Sequence, residues 1–402
     1  MKNRRASMLV CFVILVLILT MPITVVPQTI KVGASVSLTG GYAAGGKDVK
    51  AGYELAVKHI NEDGGIFVKE YNKKLLMDLI MLDDESDTVK TAARMEKLYS
   101  FDNVVAYLGS FGSGMNVAQL STAEKNKVPW IGCAFALEAP FKQGYKYTFK
   151  AFQSSRVQCI VLNDLVKSIP EDKRPTKFAI WELQDDWGKE VAEYDRQLIA
   201  QYGWKVVADE KYSPRTTDFS NLILNAKKAG AEVVRTTYAP PHALVVPKQM
   251  KELGWRPLLH CSIRGPDLTN YWDSLGQDAS YIISTASWDS SFTDAVSKRL
   301  VKDYFVQNPN AKYCGSIVGN SYNCVVVLAD AIKRAGTLNR NKIRDAIATT
   351  DLVNVCGRMT FASNGEANMG ENVRQWQNGK NLVVFPKERA NGTLMLAPPW
   401  GQ

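Results

Sequence analysis

The feature that most limits how this chain can fold is an alternation, run twice, of short apolar stretches with longer ones that are apolar at helical spacing. In the first run Ile30–Val36, Leu75–Leu82, Val104–Leu108 and Pro129–Cys133 read as strands. Helices read between them. The first carries Val49, Gly52, Tyr53, Ala56, Val57 and Ile60 on one face and stops at Asn61-Glu62-Asp63-Gly64-Gly65. Thr88–Tyr99 and Asn116–Asn126 are the next two. A break falls between Tyr147 and Ser155, and the pattern then restarts. Lys177–Leu183, Trp204–Ala208, Val233–Thr237, Pro257–Cys261 and Tyr281–Ala286 read as strands. Gly188–Tyr202, Asp218–Ala229 and a segment holding Leu244, Met250 and Leu253 read as helices. Strands joined through helices form parallel sheets covered on both faces. Two such units predict an α/β protein of two doubly wound lobes, with a cleft between them suited to a small ligand. Ile317–Ala335 and Arg340–Ala348 read as further helices, and the tail from Cys356 to Val384 is strand-like. That tail is too short for a core of its own and is expected to complete the lobes.

Half of a pocket is expected from Val104–Pro140. A strand ends there in the Gly109–Gly114 loop, a helix follows, and the next strand exits through Ala134–Glu138. Ligands in open parallel sheets sit at such strand ends. Free N–H groups and the dipole at a helix N-terminus favour an anion such as a carboxylate.

Lys2, Arg4 and Arg5 precede an apolar run from Met8 to Met21, broken only by Thr20, then Pro22. This is the pattern of a signal peptide, expected over residues 1–28. It is short against the roughly 20 residues of a spanning helix. Val26-Pro27-Gln28 marks the cleavage site poorly, so an uncleaved anchor is the alternative to release into the periplasm. Cys11 follows Val10, not the small residue of a lipoprotein site, and reads as part of the apolar run. The formal net charge of +9 falls to +6 without the three leader cations, and the remaining basic residues are scattered. That excludes a nucleic-acid track. Cys133, Cys159, Cys261, Cys314, Cys324 and Cys356 form no C-x-x-C and no zinc spacing. Cys314 and Cys324 are near enough along the chain to be candidates for pairing, whereas Cys133 and Cys261 end strands and are expected to pack.

Catalytic patterns are missing. His59, His242 and His260 make no H-E-x-x-H, and neither G-x-S-x-G, a P-loop nor G-x-G-x-x-G is present. Asp83-Asp84 and Asp185-Asp186 read as caps. A hydrolase would have to recruit Ser35, Ser113 or Asp84 without a recognisable partner. The reading is a binding protein, not an enzyme, with no cofactor and no metal.

I-K-V-G-A-S-V-S-L-T-G, A-G-Y-E-L-A-V-K-H-I-N-E-D-G-G-I, D-D-E-S-D-T, Y-L-G-S-F-G-S and D-D-W-G-K-E occur here in order. With this spacing, Ile30–Asn378 resembles the periplasmic solute-binding proteins of the branched-chain amino acid and amide uptake systems. The resemblance implies a type I periplasmic binding protein fold: two lobes joined by three crossovers, closing on a ligand and docking on an ABC permease as a monomer. It implies lobe 1 over 29–151 plus 287–361, and lobe 2 over 152–286 plus 362–402. It also implies ligand contacts from Ser113, Ala134, Ala136, Trp187, Tyr238 and Ser262, with Trp288 as a weaker candidate. Ser113 falls where the family holds a ligand carboxylate, and Ala134 where a backbone group does so. Trp187 and Tyr238 stand at tyrosine positions. Two residues depart from the amino acid binders: Ala136 replaces a Thr or Ser, and Ser262 replaces the Glu that pairs with an α-ammonium. If the register there is shifted, Asp267 takes that role. A buried ammonium without a carboxylate is costly. The expected ligand is therefore a small carboxylate, aromatic acids included, or an amide. Amino acid uptake, or ligand sensing with a receptor partner, is the alternative.

Overall fold

The structure, a computed structural model, describes residues 28–401. The expected leader, with Cys11 in it, lies outside the described residues except for Gln28. Strand β1 is Ile30–Val36, and β2 (Ile66–Val68) and β3 (Lys73–Leu75) form a small hairpin. β4 (Met77–Asp83), β5 (Ala106–Leu108), β6 (Trp130–Gly132) and β7 (Thr148–Lys150) join β1 in a parallel sheet of order β4-β1-β5-β6-β7. Helices α1 (Ala43–Glu62), α2 (Thr88–Ser100) and α3 (Ser113–Asn126) connect these strands.

After β7 the chain crosses to α4 (Ser155–Lys167) and builds the second unit. β8 (Lys177–Leu183), β9 (Lys205–Tyr212), β10 (Val233–Thr236), β11 (Leu259–Ser262) and β12 (Ile282–Ala286) alternate with α5 (Asp186–Gln201), α6 (Ser220–Lys228), α7 (Pro240–Glu252) and the short α8 (Tyr271–Leu275). The five strands are parallel, in the order β9-β8-β10-β11-β12. The chain then returns to the first unit with α9 (Ala295–Gln307), α10 (Ser316–Ala335), α11 (Arg340–Ala348) and a three-stranded sheet of β13 (Asp351–Asn354), β14 (Gly357–Phe361) and β15 (Ala367–Asn368). A third crossing adds β16 (Asn372–Gln377) and β17 (Lys380–Phe385), antiparallel, beyond β12. Two doubly wound lobes joined by three crossovers are thus the architecture.

Within each sheet the first strand lies between the second and the third, so both carry a switch point of the kind that opens a ligand crevice at the strand C-termini. One core packs β1 and α1 against α10, through Val32, Tyr53, Ala56, Val325 and Leu328. The two helices cross closely at Gly52, where a Cβ would lie 2.2 Å from the Val318 carbonyl oxygen. Another core lies in lobe 2 around Trp181, Tyr238, Val246 and Trp376. The third is shared: Trp130, Phe135 and Phe141 of lobe 1 cluster with Cys159, Trp187, Val191 and Ile263 of lobe 2.

Several local expectations change. Helix α3 starts at Ser113 instead of Asn116, because Gly112 takes a φ of +92° and turns the chain early. The break at Tyr147–Ser155 contains β7 as well as the crossing. β9 runs four residues past Ala208, since the polar Asp209–Lys211 fit an edge strand facing solvent. All six described cysteines are free and buried, so the candidate pair Cys314 and Cys324 is not formed. Cys324 lies eight residues into α10, about 12 Å along its axis from the helix start next to Cys314. That exceeds the reach of a disulfide, about 7 Å between Cα atoms. No helix among the described residues is long and apolar enough to cross a membrane.

Candidate functional site

The strand C-termini of the two lobes face each other across a cavity of about 350 Å³. Its lobe 1 wall is built by two loops that brace one another. The Asn116 side chain accepts the Ser110 N–H at 2.8 Å and donates to the carbonyls of Ser110 (2.9 Å) and Gly112 (3.0 Å). The Gly112 N–H donates to the Ala134 carbonyl at 3.1 Å. Ala134 itself sits at φ +51°, in the left-handed region that a residue with a Cβ rarely occupies. Such strain, about 1–3 kcal/mol, persists where surrounding bonds over-determine the chain. Asp84 ties the exits of β1 and β5 together, accepting from Ser37 Oγ at 2.7 Å and Ser110 Oγ at 3.4 Å. It is a brace and not a catalytic acid; Asp185 likewise caps α5 through the Gly188 N–H at 2.6 Å.

Of the expected site residues, Ser113, Ala134, Ala136 and Trp187 line the cavity. Ser113 is the first residue of α3, so its N–H and hydroxyl sit at the positive end of that helix. Tyr238, Ser262 and Trp288 are not brought to the wall. The Tyr238 hydroxyl shares a 2.8 Å hydrogen bond with His260, which burial holds neutral with a pKa pushed down to about 3. Ser262 Oγ donates to the Arg264 carbonyl at 2.6 Å. Trp288 is wholly buried; its indole N–H donates to Ser297 Oγ at 3.0 Å and its ring packs flat on Gly319 of α10. Its expected place at the pocket is corrected to the lobe 1 core, because only a glycine at 319 leaves room for the indole.

Phe111, Phe152, Gln158, Ile263, Arg264, Asp267, Thr285 and Ile317 complete the lining. Arg264 is the consequential addition. Its Nε donates to the Tyr238 carbonyl at 2.5 Å, and its guanidinium lies 4.3 Å from the centre of the Trp187 ring and 5.8 Å from that of Tyr42. Its Nη2 is buried and finds no partner among the described residues. Tyr238 and Ser262, expected to touch the ligand, thus hold Arg264 in place. One mark in the sequence could have found it: a lone cation between the apolar β11 exit and the Gly265-Pro266 turn. Asp267 also faces the cavity. Its carboxylate accepts the Gly265 N–H at 2.9 Å, and burial raises its pKa while Arg374 and Arg264 pull it back.

Polar contacts join the lobes around this cavity. The Thr269 N–H of lobe 2 donates to Asp48 of α1 at 3.1 Å. Near Ala136, the Glu190 carboxylate on α5 accepts the Glu138 and Ala139 N–H groups, and the Tyr194 hydroxyl donates to Glu138 at 2.9 Å. With the shared core, they define a closed arrangement.

Residues 29–381 match the family model described as periplasmic binding protein. Leu/Ile/Val-binding protein homolog 7 of Brucella abortus is 25% identical over 387 residues, 91% of this chain and 94% of that protein. Among solved structures, the branched-chain amino acid transporter substrate binding protein LivJ of Streptococcus pneumoniae, in complex with isoleucine, superposes with a TM-score of 0.79 at 23% identity, covering 88% of this chain and 98% of that one. A solute binding protein of an ABC transporter from Rhodopseudomonas palustris, in complex with 3,4-dihydroxy benzoic acid, gives 0.77 at 18% identity, covering 92% and 99%. Both likenesses are of fold. The family match spans both lobes and all three crossovers, and the chain therefore belongs to the periplasmic binding protein family.

Proposed function

We propose that this protein is exported, closes its lobes on a small carboxylate, and delivers it to an ABC importer. Arg264 carries the reading. A buried guanidinium with an unpartnered N–H, beside Gly112 at the N-terminus of α3, calls for an anion. Trp187, Phe111 and Phe152 offer flat apolar surface, which suits an aromatic acid; the neighbour bound to a dihydroxybenzoic acid is in keeping with this. Ligand exchange would be a hinge motion at the three crossovers, breaking the Asp48 and Glu138–Glu190 contacts. The lobes are taken as 29–151 plus 287–361 and 152–286 plus 362–402, after a signal peptide over 1–28.

Asp267 favours a second reading. With Ser113 and Arg264 on a carboxylate, it could receive the ammonium of an amino acid, as in the isoleucine-bound neighbour. Calorimetry with benzoate, simple amides, leucine and valine decides between them, repeated on Asp267→Asn. A plain carboxylate should bind the wild type, and bind the variant as tightly or more so. Tight binding of leucine or valine that Asp267→Asn abolishes, with no response to benzoate, would return the amino acid reading.

A further inference from the structure

Gln158 and Thr285 also line the cavity, and both are almost wholly buried. Gln158 Oε1 finds no hydrogen-bond partner among the described residues; the Thr285 hydroxyl has none in good geometry and faces only the Glu371 carboxylate. Buried polar atoms are rarely left so, and each one without a partner is destabilising. These two flank the hinge. Gln158 lies in the first turn of α4, directly after the first crossover, and Thr285 is the penultimate residue of β12, directly before the second. Ser155, at the start of α4, donates both its N–H (3.0 Å) and its hydroxyl (3.1 Å) to the Ala136 carbonyl, which fixes this end of the cavity beside the crossovers. Arg264 marks the opposite end, against Tyr42 and Gly112. The cavity therefore has a guanidinium N–H free at one end and, at the hinge, the Gln158 amide and Thr285 hydroxyl, while the Lys150 ammonium behind them is taken up by the Ala136 and Leu137 carbonyls and Glu366.

We infer that Gln158 and Thr285 select a ligand whose far end, opposite its carboxylate, carries a hydroxyl group. A hydroxyl both donates and accepts, so it satisfies the glutamine amide in either orientation and the threonine oxygen beside it. A second carboxylate is disfavoured there, because Glu371 stands behind the same segment, accepting from Ser287 at 2.5 Å, and Lys150 already spends its three N–H groups on Ala136, Leu137 and Glu366. A site built to hydrogen-bond a substrate hydroxyl discriminates strongly against the analogue lacking it, since its own polar groups are then left unpaired. This inference rests on the carboxylate reading above and adds the group at the other end.

The experiment compares two matched pairs by calorimetry on the purified protein: benzoate with 4-hydroxybenzoate, and hexanoate with 6-hydroxyhexanoate. In at least one pair the hydroxylated acid should bind about 10-fold tighter or more. Gln158→Leu and Thr285→Val should each reduce that preference to near unity, and Thr285→Ser should keep it. Thermal unfolding of each variant confirms that it is folded. If the wild type binds both members of each pair equally, or if neither variant alters the preference, the hinge-end assignment is overturned and the carboxylate reading stands. If none of the four acids binds and leucine does, both fall together.

Discussion

Arg264→Met is the most informative single change, because it separates the charge of the ligand from its shape. A carboxylate meeting Arg264 would gain hydrogen bonds to a charged donor, each about 1.5–3 kcal/mol. With the guanidinium gone, a carboxylate drawn into this cavity keeps only Ser113 and the α3 N-terminus, and unpaired buried charges cost about 3–5 kcal/mol. A net loss of about 3–4 kcal/mol follows, roughly 100- to 1,000-fold in Kd. The free protein should not suffer in proportion. The guanidinium stacks on Trp187, about 0.5–2 kcal/mol, but its buried Nη2 is unpartnered among the described residues, and the two effects oppose each other. Calorimetry with benzoate and with benzamide, which match in shape, reads the difference. The acid should lose its affinity and the amide should change by less than about threefold. Being buried, the contact should also persist in about 0.5 M salt. A loss shared equally by acid and amide, or no loss for the acid, would refute the assignment of Arg264 as the anion anchor.

Four further outcomes are expected. Ser113→Ala should weaken a bound carboxylate by about 1.5–3 kcal/mol, read by calorimetry. Tyr194→Phe removes the hydroxyl that bridges α5 to Glu138, so small-angle scattering of the free protein should shift toward a more open form; an unchanged profile would deny the contact a part in closure. Gly52→Ala should destabilise by about 1–3 kcal/mol in chemical denaturation, since its Cβ has no space at the α1–α10 crossing. Asp48 has its pKa pushed by burial from 3.8 up to about 7, so the folded form holds this proton more tightly than the unfolded chain does. Its contribution is full below about pH 4 and is lost as pH rises to about 7, by up to about 1.4 kcal/mol per unit. Asp48→Asn should remove that part of the slope, gaining on the wild type between pH 4.5 and 7.5; parallel stability curves would count against it.

The doubling of the α/β pattern was legible because period-2 and period-3.6 spacing are local properties of the chain, and the Gly109–Gly114 and Ala134–Glu138 loops follow from knowing where strands end, whereas Trp187 came from the likeness to the family. Arg264 was marked only as a lone cation ahead of the Gly265-Pro266 turn. A cation two residues past a strand reads as solvent-facing until Tyr238, from a different strand exit, is seen to take its Nε. Trp288 erred the other way: an aromatic near a crossover suits a pocket, and only the approach of Gly319, 31 positions later, puts it in a core. Gln158 and Thr285 carry no local signal, since their meaning lies in which polar atoms remain unpaired once the lobes are together.

The threading of the chain has a consequence for its synthesis. Helix α10, which covers α1, is translated only after all the parallel strands of the second sheet. Until then the apolar face of α1 has no cover, so the N-terminal third cannot settle as an independent unit. Its partner must wait longer, for β16 and β17 near the end of the polypeptide. Contacts of such wide sequence separation make folding slow. A chain cut short before about residue 370 would leave both halves with exposed apolar surface, a substrate for proteolysis.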